Sequence, residues 1–259
     1  AKDARWTYYR KRAEGQNTIV VNPDSTGGQV RTAKCQITDY TSAYDGGHAT
    51  VNMLGAYDQY GVSSIRRSLA LFDSRSRVRL RDEITCTKES TIYWFAHTDA
   101  DVVIADDGKS ALMEKNGKKI YVRLAAAPEN ARFSLMAVEP LPLSPNPDSQ
   151  KGEYLTAYTG DKKLTVHVTG VKEMTLSVEF IALKDGEGIP IPSTYVPMAQ
   201  WSASESGKTT VQLAGADVML KLNTPNAIAK GEKTYVDPAN YEVGPFTENS
   251  RTLVPVRFI

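Results

Sequence analysis

The densest grouping of side chains that could do chemistry lies near the start of the chain: Tyr8, Tyr9, Arg10, Arg12, Gln16 and Asn17. Aromatic rings stack on the faces of sugars, and guanidinium forks bind carboxylates or sulfates in a bidentate manner. The combination describes an edge that holds an acidic glycan. The same residues also suit a strand whose charges are solvated and whose rings belong to a core. His97 closes the segment Tyr93–Thr98 (YWFAHT). An imidazole, with an ordinary pKa of about 6.5, can shuttle a proton. Alternation places Tyr93, Phe95 and His97 on one face and Trp94 on the other, and one of those faces must be core. A hydrogen-bonded structural role is therefore the simpler reading of His97. Together, Tyr9, Arg10, Arg12, Gln16, Asn17 and His97 form the candidate substrate-binding set.

Other reactive residue types are dispersed. His48 follows the turn sequence Asp45-Gly46-Gly47 and is expected at the surface, while His167 sits mid-strand with Thr165 and Thr169 on its own face, facing solvent or bonded to those hydroxyls. The three histidines lack metal-site spacing, and Cys35 and Cys86, the only cysteines, form no CxxC pair. A Cys35–Cys86 disulfide needs two facing strands; two buried thiols are the alternative. Asp99, Asp101, Asp106 and Asp107 could offer oxygens to calcium, but EF-hand spacing is absent and Asp107-Gly108 reads more simply as a hairpin turn. Asp82 and Glu83, as strand neighbours, point to opposite faces and cannot share a substrate. Phosphate-binding glycine loops and the GxSxG elbow are missing, and Gly27-Gly28 reads as a loop tip. No metal and no cofactor are expected.

The elements that must position these residues are strands. Asn17–Asn22 (NTIVVN), Arg77–Arg81 (RVRLR), Leu164–Thr169 (LTVHVT) and Met174–Leu183 (MTLSVEFIAL) are rich in strand formers. Residues 92–124 read as a meander, with Asp107-Gly108 and Asn116-Gly117 at its turns. The expected fold is all-β: a large antiparallel β-sandwich over residues 1–200, then a small β-rich domain over 205–259. Pro140–Pro147 reads as a loop inside the sandwich. The proline-dense Gly188–Pro197 and the polar Ser202–Gly207 suit a linker, which places the boundary near 198–206.

The chain has 259 residues, 31 basic against 30 acidic, and a formal net charge of +1. That balance argues against general binding to nucleic acid or an anionic membrane, and no apolar run is long enough for a membrane span. The first twelve residues carry five basic groups without a following apolar run, so they do not read as a signal peptide.

Arg5–Asn22 (RWTYYRKRAEGQNTIVVN), Arg66–Asp82 with Glu83, and Tyr93–Thr98 resemble the heparinase II/III-like family of polysaccharide lyases over about residues 1–195. The resemblance implies a helical toroid followed by a β-sandwich, acting on acidic polysaccharides by β-elimination, with most catalytic residues upstream of Ala1. It makes this chain the sandwich portion, inactive alone, with the toroid portion as its partner. Family members often have His-Asn where this chain has Gln16-Asn17, and in some that histidine binds zinc. An amide is a poor zinc ligand, so no zinc is expected here. Lys208–Ile259, ending in Arg251–Ile259 (RTLVPVRFI), is similar to the stalk-type domain named after the N-terminal domain of copper amine oxidases, cut short at its end. That stretch holds no histidine or cysteine, so copper chemistry is not implied. The expected location is secreted or cell-surface. The alternative function is a non-catalytic carbohydrate-binding or structural sandwich.

Overall fold

The structure, a computed structural model, describes residues 4–43, 46–72, 75–146, 160–184, 186 and 188–189, and the backbone of six short strands beyond residue 209. The strands of the main body are β1 (Ile19–Val21), β2 (Gln36–Ala43), β3 (Gly46–Asn52), β4 (Val62–Phe72), β5 (Arg77–Thr98), β6 (Asp101–Ile104), β7 (Ser110–Lys115), β8 (Lys118–Ala126), β9 (Phe133–Ala137) and β10 (Lys162–Leu183). All pair antiparallel in one ten-stranded sheet.

The long strands β5 and β10 explain how one sheet becomes two layers. Each has 22 residues, and they pair along most of their length. Trp94 opposes Val166, whereas Phe180 opposes Val78, fourteen positions further along β10. A straight ribbon would hold those rows roughly 45 Å apart at about 3.3 Å per residue. Their rings lie 6.4 Å apart. The ribbon is therefore folded back on itself. The fold falls where the register shifts, between Val168 and Glu173 of β10. There Gly170 takes φ 67°, a conformation that a Cβ would strain. Two segments that read as separate strands, Leu164–Thr169 and Met174–Leu183, are thus one strand interrupted by this bend.

The larger layer runs β2-β3-β4, the first half of β5, the second half of β10, then β8-β7-β6. The smaller layer holds β1, the second half of β5, the first half of β10, and β9. A single core joins them: Ile19, Ile92, Trp94 and Val166 from the small layer meet Ile65, Ile84, Leu176 and Val178 from the large one. A second, smaller core of Ala13, Val20, Phe95 and Leu141 lies on the other face of the small layer. That face carries the site.

Three expectations need correcting. Tyr9–Lys11 and Ala13–Gly15 are 3-10 turns, and extended structure begins only at Ile19. His48 is buried, because period 2 carries it to the inner row of β3 with Gly46 and Thr50; its Nε2 lies 2.8 Å from Asp39 and its Nδ1 2.9 Å from Thr41. Cys35 and Cys86 are both free; Cys35 is exposed ahead of β2 while Cys86 points into the core.

Beyond the main body, β11 (Thr210–Gln212), β12 (Val218–Lys221), β13 (Asn226–Ala229) and β14 (Glu232–Tyr235) form a four-stranded antiparallel meander, and β15 (Phe246–Glu248) pairs β16 (Arg251–Leu253). The expected boundary at 198–206 lies outside the described residues.

Candidate functional site

The opening turns are folded tightly against the small layer. Gly15 sits so close to the Tyr9 carbonyl that a Cβ would approach its oxygen to 2.2 Å, so only glycine permits the doubled turn. Asn146 Oδ1 accepts from the Tyr9 backbone N–H (2.9 Å), and the Gly27 carbonyl accepts from the Ala13 N–H (2.9 Å). Glu14 is buried and binds the loop after β9: its Oε2 accepts from Leu141 N–H (3.1 Å) and from the Ser144 hydroxyl (2.8 Å), while its other oxygen pairs with Arg12. The contacts to Leu141, Ser144 and Asn146 span more than 120 residues of sequence, and together these bonds fix the backbone that carries Tyr9.

Tyr9 Oη lies 3.0 Å from His97 Nε2. Asn17 Oδ1 accepts from the His97 backbone N–H (2.8 Å) and lies 3.1 Å from His97 Nδ1. Because Asn17 Oδ1 can only accept, Nδ1 carries the proton, and Nε2 must accept from the Tyr9 hydroxyl. The result is an ordered run of bonds: Tyr9 O–H to His97, and His97 N–H to Asn17. The Asn17 carbonyl in turn accepts from Arg67 (3.1 Å), which Asp82 holds through two bonds of 2.7 and 2.9 Å.

Lys163 is the direct cross-strand neighbour of His97. It is fully buried, with Nζ 5.1 Å from the Tyr9 ring centroid and 4.8 Å from that of Phe95, and it donates to the Glu139 carbonyl (2.9 Å). Rings attract a cation through their negative faces. Burial nevertheless pushes the Lys163 ammonium down to about 8, with Glu14 and Glu139 opposing the shift. Burial, then the Lys163 charge, pushes His97 down to about 4. At neutral pH the imidazole is uncharged, which agrees with the tautomer that its partners dictate. The group is a neutral, oriented acceptor–donor array beside a buried cation. It fixes the imidazole in one tautomer and one orientation, with Asn17 as its exposed member.

The six sequence-predicted residues are not equally placed. Tyr9, Asn17 and His97 are brought together. Gln16 and Arg10 are exposed beside them, with Gln16 Nε2 donating to the Arg10 carbonyl (3.0 Å). Arg12 departs from the expected exposed edge: it is 2% exposed and paired inward with Glu14, because its turn faces the second core. Sequence reasoning missed Lys163, Glu14, Asn146 and the Arg67–Asp82 pair. Lys163 had a signal, since it alternates with Thr165 and His167 against Leu164, Val166 and Val168. Asn146 had none. The aspartates at 99 and 101 pair with Lys115 and Lys162, and no group of three metal-ligating side chains gathers among the described residues.

Residues 1–186 match the model of the family described as "Heparinase II/III-like, C-terminal". The chain belongs to this heparinase II/III-like family. Among solved structures it is similar to the heparan sulfate lyase HepC from Pedobacter heparinus, at 8% identity and a TM-score of 0.49, over 88% of this chain and 30% of that one. It is also similar to the heparinase III BT4657 gene product, at 8% identity and a TM-score of 0.49, over 86% of this chain and 30% of that one. HI1317 aligns at 10% identity and a TM-score of 0.38, over 66% of this chain and 82% of that one. The chain thus spans about a third of the length of the two lyases. No curated protein sequence matches it. The family match ends at residue 186 and does not reach Lys208–Ile259.

Proposed function

We propose that this chain is the β-sandwich part of a polysaccharide lyase that cleaves an acidic, uronate-containing glycan by β-elimination, in a secreted or cell-surface setting. In that reaction a base removes the proton α to the uronate carboxylate and the 4-linked sugar departs; charge on the carboxylate must be neutralised meanwhile. The sandwich supplies one wall of the cleft. Arg10 meets the carboxylate or sulfate, Gln16 and Asn17 bond sugar hydroxyls, and the Tyr9–His97 pair fixes the ring that lies against them. A helical toroid portion provides the remaining chemistry, so the chain alone is inactive. Lys208–Ile259 serves as a small stalk-type domain without copper chemistry.

The observation that carries this reading is the Tyr9–His97–Asn17 array beside exposed Arg10, within the segment that the family model spans. The test is incubation of the isolated chain with heparan sulfate oligosaccharides, followed by absorbance of the unsaturated uronate and by calorimetry. Binding without turnover is expected, weaker than when a helical toroid portion is added. Turnover would refute the inactive scaffold, and absence of binding would refute the glycan wall. Binding that needs no added helical portion, at full affinity, would favour a self-sufficient carbohydrate-binding module instead.

A further inference from the structure

A cleft of about 480 Å³ lies apart from the Tyr9–His97 pair, between the opening turn, the β1–β2 loop and residues 59–60. We propose that this cleft is a second glycan subsite, which takes one acidic pyranose unit. The proposal rests on the glycan-handling reading above and adds a place on the molecule that the reading does not use.

Its size falls within the range of about 300–1,000 Å³ usual for small-molecule pockets. Its lining is that of a sugar site rather than a lipid or peptide site. Trp6 supplies the broad apolar surface that a pyranose ring needs. The Arg31 guanidinium stands over that indole, 5.3 Å from the ring centroid, so the wall is aromatic and cationic at once. Opposite in chemistry is a chain of hydroxyls ending on a carboxylate. Thr26 Oγ1 donates to Asp24 Oδ1 (2.6 Å), so at 3.0 Å it accepts from the Tyr60 hydroxyl. Asp24 keeps acceptor capacity on its second oxygen, which suits sugar hydroxyl donors. The amide of Gln59 adds a donor and an acceptor. Arg31 would face the acidic substituent, and Asp24 the hydroxyls.

The walls are pre-formed, which lowers the cost of ordering on binding. Asp24 Oδ1 also accepts from the Thr26 N–H (2.8 Å), closing a side-chain turn. Gly27 and Gly28, at φ 118° and 78°, let the loop reverse beside Val20 and Ala13. The Val30 N–H donates to the Ala56 carbonyl (2.9 Å), which ties the far end of the loop to the main body.

The experiment compares heparan sulfate octasaccharide affinity by calorimetry for the whole chain and for Gln59→Ala, Arg31→Gln and Trp6→Ala. Gln59 and Arg31 are exposed, so those two variants should melt with the parent chain. Each is expected to weaken binding about fivefold, the worth of one hydrogen bond of about 1 kcal/mol. Trp6→Ala should weaken it more. Lys118→Gln, on the β7–β8 hairpin, should leave affinity unchanged and so exclude a mere net-charge effect. If Gln59→Ala and Arg31→Gln bind as the parent does, while Tyr9→Phe binds worse, the second subsite is overturned and the first reading stands. If the parent chain binds no oligosaccharide, both fall.

Discussion

The two halves of the folded β5–β10 ribbon treat buried charge in opposite ways. In the far half, Glu179 is fully buried yet reached by two guanidinium groups: Arg79 at 2.7 and 3.1 Å, and Arg123 at 2.5 and 2.7 Å. The buried carboxylate there has opposite charges in direct contact. In the near half, the buried Lys163 has a carbonyl and two rings but no carboxylate in direct contact, and the neighbouring His97 is held neutral. The first arrangement cross-links strands. The second keeps a buried cation without a carboxylate in contact, next to a neutral imidazole bonded to Tyr9 and to exposed Asn17. The difference separates a structural charge cluster from a candidate binding site on the same pair of strands.

The largest expected effect falls in the far half. Glu179→Ala would remove the buried carboxylate that pairs buried Arg79 and half-buried Arg123 and should cost about 3–5 kcal/mol, measurable by urea unfolding. Should that loss be under 1 kcal/mol, the far half would not be a cross-link. In the near half, Tyr9→Phe removes the donor to His97 Nε2 and should cost about 1–3 kcal/mol, together with weaker glycan binding. Lys163→Met should leave the fold intact and raise the His97 pKa from about 4 toward its ordinary value, because it deletes a neighbouring positive charge. Proton NMR of the imidazole follows this shift; an unmoved titration would deny the coupling of Lys163 to the site.

Stability should also follow pH through the near half. His97 is depressed in the folded chain, so between about pH 4 and 6.5 the unfolded chain binds more protons. Stability therefore rises with pH across that window, and its His97-linked part is lost as pH falls through it. Lys163, near 8 when folded against an ordinary 10.5, gives the same sign between about pH 8 and 10.5. Melting temperatures in Lys163→Met should lack the alkaline rise. The smallest effect belongs to Arg10→Ala, which should change stability by no more than about 0.5 kcal/mol. It should flatten the salt dependence of glycan binding.

How much of this was legible in the sequence depended on the range of the contacts. Local alternation marked the meander of β6, β7 and β8 and placed Trp94 opposite His97 on β5. The folding-back of the ribbon was not legible, because Gly170 reads as an ordinary turn signal between two strands. The likeness of Arg5–Asn22 to known lyases drew notice to Tyr9 and Asn17. Their meeting with His97 depends on pairing between residues about 80 positions apart, which periodicity does not encode. Arg12 was misplaced for the same reason: its partner Glu14 is close in sequence, but the loop that buries both comes from residues 141–144.

The most direct test of the central claim is an NMR titration of the chain with heparan sulfate octasaccharide, observing the His97 imidazole and the Tyr9 and Asn17 amides. Saturable shifts at all three, reduced in Tyr9→Phe, are the predicted result. Saturable binding that leaves these three signals unmoved would contradict the claim that the small layer's outer face is the glycan wall.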